Sequence, residues 1–89
     1  MIPIHQLLSR IQWDEAFGDA HFEVAYHDRV GDRLIRVAFE KLELEQGNRF
    51  DFALTGPEGE PVRIPFHRVR EVYRDGARIW NRPGADHGL

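Results

Sequence analysis

The chain has 89 residues with 42% hydrophobic and 30% charged side chains, the composition of an ordinary globular protein. This length allows one small domain with one core, and the absence of cysteine excludes disulfides, thiolate zinc sites and a thiol nucleophile. No apolar run approaches the ~20 residues of a membrane span, and no charged-then-apolar leader is present, so we expect a cytoplasmic protein.

Positive charge is concentrated in residues 61–82. Six arginines in this stretch face only Glu71 and Asp75, which gives a formal charge of +4 with His67 neutral. Because the whole chain carries −3, the remaining residues carry −7. Eleven of the twelve basic residues are Arg, whose planar guanidinium suits phosphate, although a GC-rich genome would explain the same bias.

The first predicted element is a short amphipathic helix over residues 2–12. Four apolar residues recur at helical spacing and form one stripe: Ile4, Leu7, Leu8 and Ile11. Pro3 fits the first turn, where its missing N–H costs nothing. An isolated helix this short is marginal in water, so it must pack on the rest of the chain. Trp13 and Phe17 are expected to close one end of the core.

Short strands with alternating apolar residues follow the helix. They are predicted at residues 21–28, at 33–39, around Leu42 and Leu44, at 50–54 and at 62–66, followed by a hairpin of residues 69–74 and 77–82 around Asp75-Gly76. We therefore predict an α+β domain over residues 1–82, in which one N-terminal helix packs on a strongly curved antiparallel sheet or small open barrel of five to six strands. Residues 83–89 are predicted to be a flexible tail.

Two segments of the chain are alike at an offset of 27 residues. Val37–Leu42 and Ile64–Val69 both contain a strand that ends in Phe, then a polar pair, then an aliphatic residue that opens the next segment. The sheet is therefore predicted to contain two similar corners, with chance as the alternative explanation for a single pair of matches.

Four segments together resemble a known family: 7–14 (Leu-Leu-Ser-Arg-Ile-Gln-Trp-Asp), 26–29 (Tyr-His-Asp-Arg), 64–69 (Ile-Pro-Phe-His-Arg-Val) and 76–82 (Gly-Ala-Arg-Ile-Trp-Asn-Arg). They are similar to the RNA cyclic group end recognition domain, also named the RNA repair domain and formerly a domain of unknown function. The resemblance covers about residues 2–82. It implies binding of RNA ends that bear a 2′,3′-cyclic phosphate or a similar group, alongside RNA repair enzymes.

The pair His67-Arg68 is the first candidate for such binding. A ring N–H and a bidentate guanidinium can both donate to phosphate oxygens. The alternative is a histidine that ties down the corner and an arginine in a surface ion pair. Arg29 is a second candidate, in the turn after the first strand, where Asp28 either orients it or simply caps the turn.

The arginines of the final hairpin and three aromatic residues are further candidates. Arg70, Arg74, Arg78 and Arg82 occupy even positions, and several are predicted to share a solvent face as a positive stripe for a nucleic-acid backbone. The alternative is that these arginines are solvated or form ion pairs with carboxylates in the rest of the chain. Tyr26, Tyr73 and Trp80 are either base-stacking platforms or core residues, and a domain this small favours the core.

No paired catalytic histidines, Walker-type loop or general acid/base pair is recognisable, and no cofactor or metal is expected. We therefore predict a non-catalytic module for phosphorylated or cyclic-phosphate RNA ends. Its predicted binding residues are His67, Arg68, Arg29, Arg70, Arg78, Arg82 and Tyr26. The alternatives are a phosphoesterase-type enzyme acting on the same ends and an Arg-rich module that binds an acidic protein.

Overall fold

The computed structural model describes residues 2–56 and 58–82, in which one α-helix precedes six antiparallel strands. The elements are α1 (Ile4–Trp13), β1 (Phe22–Asp28), β2 (Arg33–Ala38), β3 (Asp51–Thr55), β4 (Pro61–Pro65), β5 (Val69–Arg74) and β6 (Ala77–Asn81). The α+β prediction is confirmed. The predicted tail, residues 83–89, lies outside the described residues. Among those described, no helix is long and apolar enough to cross a bilayer.

Helix α1 packs through the apolar stripe that the sequence predicts, since its buried residues are Ile4, Leu7, Leu8 and Ile11. It begins after Pro3, whose carbonyl accepts hydrogen bonds from the backbone N–H groups of Gln6 and Leu7. The prediction that Trp13 helps to close the core is wrong, because this side chain is 50% exposed at the last helical position. Phe17 is partly buried against the core, as predicted.

The strands form two sheets, one of four strands in the order β2-β1-β5-β6 and one in which β3 pairs with β4. This hydrogen bonding does not confirm a single curved sheet or barrel. The predicted strand around Leu42 and Leu44 is wrong: only a bridge between Glu43 and Ala53 forms there. The reason is local, because a 3₁₀ turn ends at Lys41 and another turn begins at Gln46, which leaves too few residues for a strand.

Two bulges interrupt the four-stranded sheet. Ala25 pairs with Glu71 but the next residue, Tyr26, pairs with Val69, so Arg70 is an extra residue in β5. In the same way, Val72 pairs with Trp80 while Tyr73 pairs with Arg78, which makes Ile79 the extra residue in β6. A bulge changes which face the following side chains occupy, so simple alternation fails beyond these points.

The core joins α1 to both sheets. Its fully buried large side chains are Phe52, Leu8, Val24, Val69 and Val72. The ring of Phe52 stacks on Phe66 at 5.6 Å and meets Tyr26 edge-on at 6.5 Å. Phe50 departs from the predicted alternation, because it is 80% exposed although Phe52, two residues later, is completely buried.

The two predicted corners share one backbone conformation, which confirms their similarity. Each is a three-residue 3₁₀ turn: Phe39–Lys41 is the first corner, and Phe66–Arg68 is the second corner. The residue before each turn is extended, with φ/ψ of −66°/140° and −62°/141° respectively. The residue after each turn donates its backbone N–H to the carbonyl of the corner phenylalanine. The corners differ in their polar pair, Glu40-Lys41 in the first and His67-Arg68 in the second.

Substitution of Phe52 tests the position of the core. Phe52→Ala should lower the free energy of unfolding by about 3–5 kcal/mol, because it removes a fully buried ring and leaves a cavity. Val30→Ala is the control, since Val30 is 97% exposed and should change stability by less than about 0.5 kcal/mol. Urea denaturation of both variants measures the difference. A loss below about 1 kcal/mol for Phe52→Ala would contradict this core.

Candidate functional site

Two arginines hold the backbone of the second corner. Arg82 donates from Nε to the Val69 carbonyl and from Nη2 to the Phe66 carbonyl, both at 3.0 Å. Arg70 donates from Nη1 to the His67 carbonyl at 2.7 Å. The carbonyls of residues 66, 67 and 69 therefore all accept hydrogen bonds from guanidinium groups. These partly negative oxygens, which would otherwise repel an anion, are neutralised by positive charge.

The arginines that hold the corner lie close enough to affect each other. Burial lowers the pKa of Arg82, and the positive charge of Arg70 lowers it further. Two guanidinium groups side by side repel, and a bound anion would relieve that repulsion. The corner thus carries an excess of positive charge that is partly shielded from water.

The arginines of the described chain divide into two groups. Four are paired with carboxylates: Arg10 with Asp14, Arg36 with Glu23, Arg63 with Glu45 and Asp51, and Arg78 with Glu71. For the second group, no carboxylate of residues 2–56 or 58–82 lies within ion-pair distance. This group includes the three arginines of the second corner, Arg68, Arg70 and Arg82. Among the described residues, the positive charge of this corner is therefore not paired with any carboxylate.

His67 and Arg68 are the side chains that the second corner presents. The corner follows Pro65, which fixes the extended entry into the turn, and Phe66 buries its ring beneath it. His67 is exposed and Arg68 is half-buried. The imidazole and the guanidinium therefore belong to consecutive residues of a braced turn, and both groups are able to donate to phosphate oxygens.

Strand β1 runs past the second corner on its way to Arg29. Tyr26 pairs with Val69, so the β1–β2 turn leaves the sheet on the side of the corner. Asp28 caps this turn, because its carboxylate accepts from the backbone N–H groups of Val30 and Gly31. The capping interpretation of Asp28 is confirmed. Arg29 is exposed in the turn that Asp28 caps.

The hairpin arginines do not form one continuous stripe. Arg70 and Arg82 are neighbours at the second corner, but Arg78 lies toward the Asp75-Gly76 end, where it donates to Glu71 at 3.0 Å. The guanidinium of Arg74 lies over Phe17 and Phe22, at 5.6 and 5.9 Å from the ring centroids. The bulge at Arg70 in β5 and the bulge at Ile79 in β6 break the alternation that would place these side chains on one face, and the sequence pattern of the hairpin does not predict either bulge.

The predicted aromatic candidates are engaged within the fold. The ring of Tyr26 packs against Phe52, and burial is the main reason that its pKa is raised, with the charge of Asp28 second. Tyr73 donates its hydroxyl to Glu71 and lies under the Arg36 guanidinium at 3.7 Å. Trp80 is buried and donates its indole N–H to the Ile2 carbonyl. These contacts agree with the core interpretation for Tyr26 and Trp80.

The structure adds two neighbours that the sequence analysis did not place at the corner. The Phe66 backbone N–H donates to the Phe50 carbonyl at 2.8 Å, which brings Arg49 and Phe50 beside His67. The register of β3 with β4, in which Asp51 pairs with Pro65, would have placed both residues beside the corner had it been known. Among residues 2–56 and 58–82, no three His, Asp or Glu side chains come together as metal ligands would.

Comparison with known families agrees with the sequence resemblance. A family model described as the MJ1316 RNA cyclic group end recognition domain matches residues 1–82, a span that includes both corners and the final hairpin. No curated protein and no solved structure matches the chain.

Removal of the Arg82 guanidinium tests its role in holding the second corner. Arg82→Met should lower the free energy of unfolding by about 1–3 kcal/mol, because it removes two hydrogen bonds between a charged group and part-buried carbonyls. The Val69 amide, which bonds to Phe66 across the corner, should also exchange faster with solvent. Arg74→Met is the control in the same hairpin: it removes only the contacts with the Phe17 and Phe22 rings, so it should lower the free energy of unfolding by less than about 1 kcal/mol and leave the exchange of the Val69 amide unchanged. Equal effects of the two substitutions would show that Arg82 does not brace the turn.

Proposed function

This chain belongs to the family of the MJ1316 RNA cyclic group end recognition domain, and on that basis we propose that it is a non-catalytic module for phosphorylated or 2′,3′-cyclic-phosphate RNA ends. Its role would lie in RNA repair or processing, alongside repair enzymes, and residues 1–82 would act as one domain. The family description supports recognition of such ends in general. The RNA end would bind at the second corner.

The observation that carries the proposal is the uncompensated positive charge of the second corner. Arg68, Arg70 and Arg82 gather there, with no carboxylate of the described chain in ion-pair distance. Two of them hold the backbone of the turn, which leaves the side chains of His67 and Arg68 available as donors. A turn whose backbone is already ordered binds an anion without the added cost of ordering that backbone.

Each predicted residue receives a distinct role in the proposal. His67 and Arg68 would contact the terminal phosphate oxygens, and Arg29 would approach from the β1–β2 turn. Arg70 and Arg82 would position the turn and add long-range attraction. Tyr26 would support the corner from β1, opposite Val69. Arg78 would not contact the terminal phosphate, because it pairs with Glu71 at the other end of the hairpin.

A binding role fits this site better than catalysis. Opening a cyclic phosphate by general acid–base catalysis normally uses two positioned groups. Within the described residues, His67 has no carboxylate in ion-pair distance and no metal-ligand cluster beside it. One exposed imidazole among arginines can donate to a phosphate, but no described residue lies beside it as a partner in an acid–base pair.

The contact is tested by substitutions at the corner. His67→Ala and Arg68→Ala should each weaken binding to a short RNA with a cyclic-phosphate end by about 10- to 150-fold, because a hydrogen bond to a charged group contributes about 1.5–3 kcal/mol. Binding is measured by fluorescence anisotropy at low salt, with the same RNA ending in a 3′-hydroxyl for comparison. The salt dependence should report only a few phosphates.

The first corner provides the matched control. Lys41 occupies the position in Phe39–Lys41 that Arg68 occupies in Phe66–Arg68, with the same backbone conformation. Lys41→Ala therefore removes one positive charge from an equivalent turn and should leave the preference for the cyclic end intact. Equal affinity of the unmodified protein for both RNA ends, or equal effects at the two corners, would refute the proposed contact.

The absence of catalysis is a separate prediction. Prolonged incubation of a cyclic-phosphate RNA with a molar excess of protein should leave the mass of the terminus unchanged, since His67 has no acid–base partner among the described residues. Mass spectrometry of the RNA measures the outcome. A gain of one water that disappears in His67→Ala would establish an enzyme that opens the cyclic phosphate.

A further inference from the structure

The loop before β3 exposes an aromatic ring beside the second corner. Phe50 is 80% exposed, the largest exposed fraction of any aromatic side chain among the described residues. Phe52, two residues later, is fully buried. Single exposed apolar residues are common on protein surfaces and need no function. The surroundings of Phe50 are what distinguish it.

Asn48 holds the backbone on both sides of the ring. Its side-chain Oδ1 accepts from the backbone N–H groups of Phe50 at 2.8 Å and Asp51 at 3.3 Å. Its Nδ2 donates to Glu45 at 3.1 Å and to the Asp51 carboxylate at 2.9 Å. One side chain thus closes the loop from residue 45 to residue 51.

Arg63 in β4 completes the brace. Its Nη2 donates to Glu45 at 2.8 Å and to Asp51 at 2.7 Å. Hydrogen bonds from Arg63, and then from Asn48, lower the pKa of both carboxylates, so the network is ionised at neutral pH. A loop held by four linked side chains keeps Phe50 in solvent instead of letting it collapse onto the core.

The backbone of Phe50 lies directly across from the backbone of the second corner, which carries the proposed phosphate donors. The Phe50 carbonyl accepts from the Phe66 backbone N–H at 2.8 Å, and His67 is the next residue. Paired backbones lie about 4.8 Å apart, so the ring and the imidazole start from positions that one nucleotide can span. Arg49, also exposed, precedes the ring, and no carboxylate of the described chain lies in ion-pair distance of it.

We propose that Phe50 is a stacking platform for the terminal nucleobase of an RNA whose end phosphate lies at the second corner. This inference rests on the proposed function and adds to it a second contact with the same nucleotide. Every base has a π-face, so the platform would recognise the presence of a terminal base and not its identity. The site would thereby select nucleotide ends over other small phosphates.

The test uses three short RNAs of one sequence. The first ends in adenosine 2′,3′-cyclic phosphate, the second in an abasic ribose 2′,3′-cyclic phosphate, and the third in adenosine with a 3′-hydroxyl. Phe50→Leu should weaken binding of the first RNA by about 5- to 150-fold, the range that base–aromatic stacking supplies. It should leave the abasic RNA unaffected, whereas Phe50→Trp should retain binding of both.

Ile79→Ala is the control, because it removes an exposed apolar side chain (43% exposed) from the bulge in β6. It should alter none of the three affinities.

If Phe50→Leu weakens neither cyclic-phosphate RNA, or weakens both equally, the stacking platform is refuted. The phosphate contact is then still tested separately by the His67 and Arg68 variants. If the protein binds cyclic and hydroxyl ends equally, the proposed function fails; a loss of both adenosine-ended RNAs in Phe50→Leu would still support the platform. Failure to bind any of the three refutes both proposals.

Discussion

The hydrogen bonds from Arg70 and Arg82 to the backbone of the second corner are the interaction on which the site depends. A 3₁₀ turn between two strands leaves carbonyls without strand partners, and such groups are costly when shielded from water. Guanidinium groups satisfy three of them. The same bonds place positive charge behind the turn, so one structural solution both stabilises the corner and prepares it for an anion.

The distribution of ion pairs explains how an acidic protein can present a cationic site. Its carboxylates neutralise arginines elsewhere, most completely where Arg63 bridges Glu45 and Asp51. No carboxylate of the described residues lies within ion-pair distance of Arg68, Arg70 or Arg82, so the positive charge of the second corner stays available. Net charge therefore says little about binding in this chain, because a local excess of positive charge, in a region partly shielded from solvent, decides what approaches.

The two corners show how little of the backbone is specific to function. Phe39–Lys41 and Phe66–Arg68 have the same turn and each begins with a phenylalanine, which is partly buried in the first corner and buried in the second. The first carries a Glu-Lys pair of zero net charge, while the second carries His-Arg and is backed by two further arginines. The chemistry resides in the side chains and their surroundings, and the repeated turn is a scaffold.

Local pattern was sufficient for much of this protein. The helical stripe, most strands, the hairpin around Asp75-Gly76 and the likeness of the corners all follow from interactions between residues close in the sequence, where spacing and turn residues act directly. The sequence also singled out the pair His67-Arg68 as the first candidate for phosphate binding.

Tertiary structure alone decided the rest. The bulge at Arg70 changes the face that neighbouring side chains occupy, and the alternation of apolar residues does not predict it. Arg82 donates to a carbonyl 16 residues away in the sequence. Phe50 lies beside the second corner only because β3 pairs with β4. These features depend on contacts between distant segments, which no local spacing specifies.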